Sequence, residues 1–197
     1  MSSQVLIGGG ALAVAGIAKG LEDISGDDIP KAALLAAVFF VASLIHVNIG
    51  PSSAHLVLSG LIGLALGWAA FPVIFAGLLL QGILFQFGGL TVLGVNTFNM
   101  AFPAVLLSHG LRKAINSQNK SVSAGAAFIC GGGAILLSSC LVAFSLYLTG
   151  SEFKFVALEI IAANLPIVVI EGLICALVVS FLAKVRPELL AGPGGRP

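Results

Sequence analysis

Charge is what this chain has least of: only 9% of its 197 residues are Asp, Glu, Lys or Arg, and the formal net charge is +1. No Lys/Arg run long enough to track a polyanion occurs, which sets nucleic acid aside as a partner. The three cysteines, Cys130, Cys140 and Cys175, show neither CxxC spacing nor a neighbouring histidine. They point to small core residues and to neither a disulfide framework nor a thiolate metal site. A GxxxxGK[ST] phosphate loop is missing, so ATP hydrolysis does not reside in this chain. HExxH, GxSxG and a carboxylate pair placed for acid/base work are missing too, leaving a hydrolase without nucleophile or base. The expectation is a protein that is not an enzyme.

What the chain has instead is hydrocarbon: 58% of its residues are hydrophobic and the mean hydropathy is +1.13. That composition belongs to an integral membrane protein. Apolar runs of near-spanning length, about 20 residues each, fall at 4–20, 31–47, 54–70, 72–88, 97–113, 123–149 and 155–184. Nothing shows the in/out alternation of a barrel, and backbone groups in lipid must be paired within their own segment. The expected fold is therefore all-α, a single domain over 1–197 built as a bundle of about seven transmembrane helices in the cell membrane.

Orientation follows from the connections. Under the seven-span map Lys19, Lys31, Arg112, Lys113, Lys120, Lys184, Arg186 and Arg196 share one side, with Lys154 alone on the other. Positive residues favour the cytoplasm, so the N-terminus is expected outside and the C-terminus inside. Val5 to Ile17 also resembles the apolar part of a signal peptide, but no positive charge precedes it and Lys19 follows it, which favours a retained span.

Two connections are unusually polar, Asn48 to His55 and Gly88 to Asn96, and the map puts both on the outer face. Of the three histidines, His109 lies one turn before Arg112 and Lys113, where an amphipathic ring fits the headgroup region. His46 closes the second span on the outer side and is a weaker metal candidate. His55 is the better one: it follows a Pro-Ser-Ser turn whose hydroxyls and backbone groups can orient an imidazole, and neutral imidazole suits Co, Ni, Cu or Zn.

The stretch from Asn48 to Pro103 carries Gly50-Pro51-Ser52-Ser53-Ala54-His55-Leu56, a glycine-rich run from Gly60 to Gly67, and Gly88-Gly89-Leu90-Thr91-Val92-Leu93-Gly94-Val95-Asn96-Thr97-Phe98-Asn99-Met100. It closely resembles the CbiM/NikM substrate-specific membrane subunits of energy-coupling-factor transporters for cobalt and nickel, with a weaker likeness through Leu165 to Gly172. The resemblance implies a seven-helix subunit that captures Co2+ or Ni2+ as transported ligand, with no permanently bound cofactor. It also implies partners: a transmembrane coupling subunit, cytoplasmic ABC ATPases and a small accessory membrane subunit. Cobalt is the first expectation and nickel the alternative.

In that family the ion is held by nitrogens of an N-terminal Met-His segment and by a histidine in the loop before the third span. The loop ligand maps onto His55. This chain begins Met1-Ser2-Ser3-Gln4, so the N-terminal ligand does not map, and a missing N-terminal segment is expected. Ser52, Ser53, Asn96 and Asn99 are expected to steady the ligands while glycines let the backbone approach. Glu171, midway along the last span, and Gln81 are buried polar groups with structural or coupling roles. Glu171 is also the best argument for the rival reading, a stand-alone secondary metal carrier. Small-residue pairs four apart, such as Gly16/Gly20 and Gly63/Gly67, let helix backbones close up in lipid.

Overall fold

The computed structural model describes residues 1–49, 52–150 and 153–190. Among these, seven helices and one hairpin follow in the order α1 Ser3–Glu22, α2 Ile29–Ala42, β1 His46–Ile49, β2 Ser52–His55, α3 Ser59–Leu66, α4 Ala70–Phe85, α5 Leu93–Ile115, α6 Lys120–Tyr147 and α7 Lys154–Val185. Five stretches are long and apolar enough to cross a bilayer: Ser3–Glu22, Ser59–Phe85, Leu90–Ile115, Lys120–Tyr147 and Lys154–Val185. The protein is a multi-pass membrane protein.

Local chemistry sets several boundaries. The Ser25 hydroxyl and backbone N–H both donate to Asp28 Oδ2, at 2.6 and 3.3 Å, and the Asp28 N–H donates back to the Ser25 carbonyl at 3.0 Å, which starts the chain towards α2. The Asn119 side chain accepts from Ser121 N and Val122 N at the start of α6. Small residues set the packing. A Cβ on Gly60 would sit 2.5 Å from the Cys130 carbonyl oxygen of α6, and one on Gly63 equally close to the Ala104 carbonyl oxygen of α5. So α3 lies backbone to backbone between α5 and α6, the close approach that replaces a hydrophobic drive in lipid. Gly16 and Gly20 likewise admit Phe71 and the Trp68 carbonyl, which makes that pair internal packing.

Two expected spans come out differently. The second was expected over 31–47 and stops at Ala42, where the Ser43 hydroxyl turns back to the Phe40 carbonyl. The third was expected over 54–70 and starts as a helix only at Ser59. Between them an antiparallel hairpin interrupts the all-α expectation, pairing His46 with His55, Val47 with Ala54, Asn48 with Ser53 and Ile49 with Ser52. A Gly-Pro pair between two short β-compatible runs is a breaker signal that the hydropathy of the flanks conceals. The break between the third and fourth spans also moves, from about 71 to Gly67, whose φ of 56° and ψ of −128° suit glycine alone.

The result is a discontinuous helix inside the bundle. With eight residues, α3 is about 12 Å long, far short of a bilayer. Its termini cannot reach water on both sides. Its orphan backbone groups need partners within the protein.

Candidate metal centre

Those partners are the few charged residues of the membrane region. At the N-terminal end of α3, Glu171 of α7, 1% exposed, accepts the Val57 N–H at 2.5 Å and the Leu58 N–H at 2.8 and 2.9 Å. At the C-terminal end, Lys31 Nζ donates to the Ala65 carbonyl at 2.7 Å and an Arg112 guanidinium N–H to the Leu64 carbonyl at 3.4 Å. A carboxylate at the positive end of the helix dipole and two cations at its negative end suit the field of the short helix. Glu171 is therefore a structural clamp. Its carboxylate is engaged by the backbone of Val57 and Leu58.

The clamp closes two residues after His55, and His55 lines a cavity of about 270 Å³ at one end of the bundle. Gln81 and Leu78 of α4, Asn96 and Met100 of α5, Ser138 and Ser139 of α6 and Asn164 of α7 share that cavity. The turn from α4 to α5 closes it through Gly88 and Gly89, with φ of +73° and +72°. A Cβ on Gly88 would meet the Asn96 amide nitrogen at 3.2 Å. The glycines of the GGLT string are thus where consecutive left-handed residues fold the chain back over Asn96.

Of the residues singled out in the sequence, the structure brings His55, Gln81 and Asn96 to one cavity. Gln81 is 3% exposed, and its Nε2 has no hydrogen-bond partner among the described residues. Asn99 goes elsewhere: rotated off the Asn96/Met100 face, it donates from Nδ2 to Ser145 Oγ at 3.5 Å and faces the groove between α1 and α6. His46, Ser52 and Ser53 are placed by backbone register, and their side chains lie outside the described residues. His109 sits at the opposite end of α5, its Nδ1 2.9 Å from the Val105 carbonyl oxygen and its ring 6.5 Å from that of Trp68. Ser138, Ser139, Asn164 and Met100 were not singled out. The signal for the first three was present, because a polar side chain inside an apolar span has to face protein or water.

Chemically the cavity offers imidazole, amides, hydroxyls and a thioether. Among the described residues no three His, Cys, Asp or Glu side chains gather into a cage. Hard ions such as Ca2+ and Mg2+ want carboxylate oxygens, so a neutral, nitrogen-bearing site favours borderline transition ions.

Helices long enough to cross a membrane several times, around a pocket lined by an imidazole, amides and hydroxyls, fit a membrane transport component. The chain belongs to the CbiM family: the model of the cobalt uptake substrate-specific transmembrane region matches residues 1–189. A Haemophilus influenzae protein provisionally named a metal transport protein is 40% identical over 196 residues, covering 96% of this chain and 93% of that one. A provisionally named fused nickel transport protein of Archaeoglobus fulgidus is 34% identical over 170 residues, which is 82% of this chain and 56% of the relative. A crystal structure of a transition metal transporter superposes with a TM-score of 0.73 at 26% identity, covering 95% of this chain and 92% of that one. All three of these similar proteins are named for metal transport.

Proposed function

We propose that this chain is the substrate-capture membrane subunit of an energy-coupling-factor importer for Co2+, with Ni2+ as the alternative cargo. His55 is the protein ligand, and the cavity it lines is where the ion is received. The observation that carries the reading is the convergence of His55, Gln81 and Asn96 on one pocket closed by the Gly88–Gly89 turn. Asn96, Ser138, Ser139 and Asn164 hold the waters that remain on the ion or steady the ring. Affinity alone would rank copper and nickel above cobalt, so rigidity of the loops must carry discrimination.

The reading includes seven crossings, with the N-terminus outside and the C-terminus inside. The third crossing is made jointly by β2 and α3, the strand descending from the cavity end and the short helix completing the passage. Support comes from the eight-to-one distribution of Lys and Arg between the two sides. It comes also from Lys31 and Arg112, which meet the lower end of α3 on the positive side. Energy must come from a coupling subunit and cytoplasmic ATPases, because this chain carries no phosphate loop.

Uptake of radiolabelled cobalt and nickel in cells lacking this chain, lacking the ATPases, or carrying His55→Ala tests the reading. Loss of uptake in all three is expected. Uptake that persists without the ATPases overturns the coupling, and unchanged uptake without this chain overturns the transport reading.

A further inference from the structure

A further cavity, of about 500 Å³, opens where α5 ends, α6 begins and α7 ends. It lies at the other end of α5 from the cavity of His55: Asn96 lines the first and Ile115 the second, about 28 Å of helix apart. After Val185 the chain turns back through Pro187–Leu190, and Leu190, 4% exposed, packs with Ile115, Ala126 and Val179 into an apolar floor. Two cations from different helices, Lys120 of α6 and Lys184 of α7, line the same space with the hydroxyls of Ser121 and Ser180. Among the described residues that line it there is no carboxylate. Neither lysine has an ion-pair partner among the described residues, whereas Lys19 pairs with Glu22 and Asp23, and Lys31 and Arg112 are engaged by the carbonyls of α3. The Ser121 and Val122 N–H groups at the start of α6 are already taken by Asn119. The attraction for an anion therefore comes from the two ammonium groups and not from the helix end.

We propose that this cavity binds the phosphate group of an anionic phospholipid, held between Lys120 and Lys184. Lysine binds phosphate oxygens as a point charge, and the serine hydroxyls supply neutral donors beside it. A free phosphate ion has the same chemistry, and the surroundings favour the lipid. The floor of Ile115 and Leu190 suits a glycerol and the first methylenes and offers an inorganic ion nothing. Val122, Phe181, Val185 and Leu189, sequence neighbours of lining residues, are each at least 38% exposed, so hydrocarbon-compatible surface adjoins the cavity. The cavity sits at the ends of membrane-spanning helices, the level at which headgroups lie, and basic pockets between such helices are a recurrent headgroup site. Under the orientation proposed above this end faces the cytoplasm, whose leaflet carries the anionic lipids. The bound lipid would tie the α5–α6 turn to the end of α7, and its binding does not depend on which ion the protein carries.

The test uses the full chain purified in detergent, with bound lipid counted by native mass spectrometry and phosphatidylglycerol, phosphatidylcholine and inorganic phosphate as probes. Wild type is expected to hold phosphatidylglycerol at least about tenfold more tightly than the zwitterionic phosphatidylcholine. Lys120→Gln and Lys184→Gln should each lose about fivefold in phosphatidylglycerol affinity and the double variant about 25-fold, the effect of removing a cation beside an anionic headgroup. Lys113 lies in the last turn of α5 but does not line the cavity, so Lys113→Gln should leave the affinity unchanged. An equal loss in Lys113→Gln, or none in the double glutamine variant, would overturn the site. Lys120→Arg with Lys184→Arg keeps both charges and should bind as wild type does; loss of lipid there would reject charge as the basis. Millimolar inorganic phosphate should leave the lipid in place, and its displacement would overturn the lipid as the source of the phosphate.

Discussion

The carboxylate of Glu171 holds the Leu58 N–H between its two oxygens, at 2.8 and 2.9 Å, across 113 positions of sequence. Leu58 sits in the left-handed region, with φ 56° and ψ 23°, a conformation that costs a bulky residue about 1–2 kcal/mol. It begins the half-helix α3 three residues beyond His55. One buried side chain thus fixes both the start of α3 and the trailing end of the hairpin.

Glu171→Ala should therefore destabilise the fold and the site together. It leaves two buried backbone N–H groups without their acceptor, at about 1–3 kcal/mol each, and frees Leu58 to relax. Glu171→Gln keeps one acceptor oxygen and should lose about half as much. Thermal unfolding in detergent ranks the three proteins, and Co2+ affinity is expected to fall in the same order. Equal stability of Ala and wild type would refute the clamp.

At the other end of α3, Lys31→Met and Arg112→Met each remove a cation from the last carbonyls of the helix. A charge at a partly shielded helix terminus contributes about 0.3–2 kcal/mol. Each variant should unfold at a modestly lower temperature while retaining metal affinity, because neither residue approaches the cavity. A loss of affinity without loss of stability would contradict this division of labour.

The Gly88–Gly89 turn should tolerate no side chain. Alanine at either position forces a left-handed L-residue, a strain of about 1–2 kcal/mol, and at position 88 also presses on the Asn96 amide. Gly88→Ala is expected to lower Co2+ affinity more than Gly89→Ala at similar stability. Side-by-side titrations decide it, and equal affinities would exclude Asn96 from the site.

Competition distinguishes the donor set. With imidazole nitrogens and no carboxylate cage, millimolar Mg2+ or Ca2+ should leave Co2+ binding unchanged, while Ni2+ and Cu2+ displace it. Displacement by Ca2+ at those levels would reveal oxygen ligation. Among the described residues no carboxylate lines the cavity to supply it.

The polar turns and His55 were legible in the sequence because a polar cluster inside hydrocarbon-compatible sequence stands out locally. The hairpin was not, since Val47, Ile49 and their neighbours read as apolar whether helical or extended. Asn96 and Asn99 looked equivalent for a related reason. Three positions apart, one at the end of the expected turn and one in the expected span, they separate onto different faces only once the register of α5 is set.

Alone, the sequence determined the membrane class, the family, where most helices lie and which residues were chemically able to meet a metal. These follow from composition and from runs of like residues, which are properties of neighbours along the chain. Only the tertiary structure decided that Glu171 caps a half-helix, that Gly67 and not a later residue breaks the third span, and that His46 opposes His55. Such matters depend on which buried polar atoms find partners, and in lipid every backbone group must find one wherever in the chain it lies.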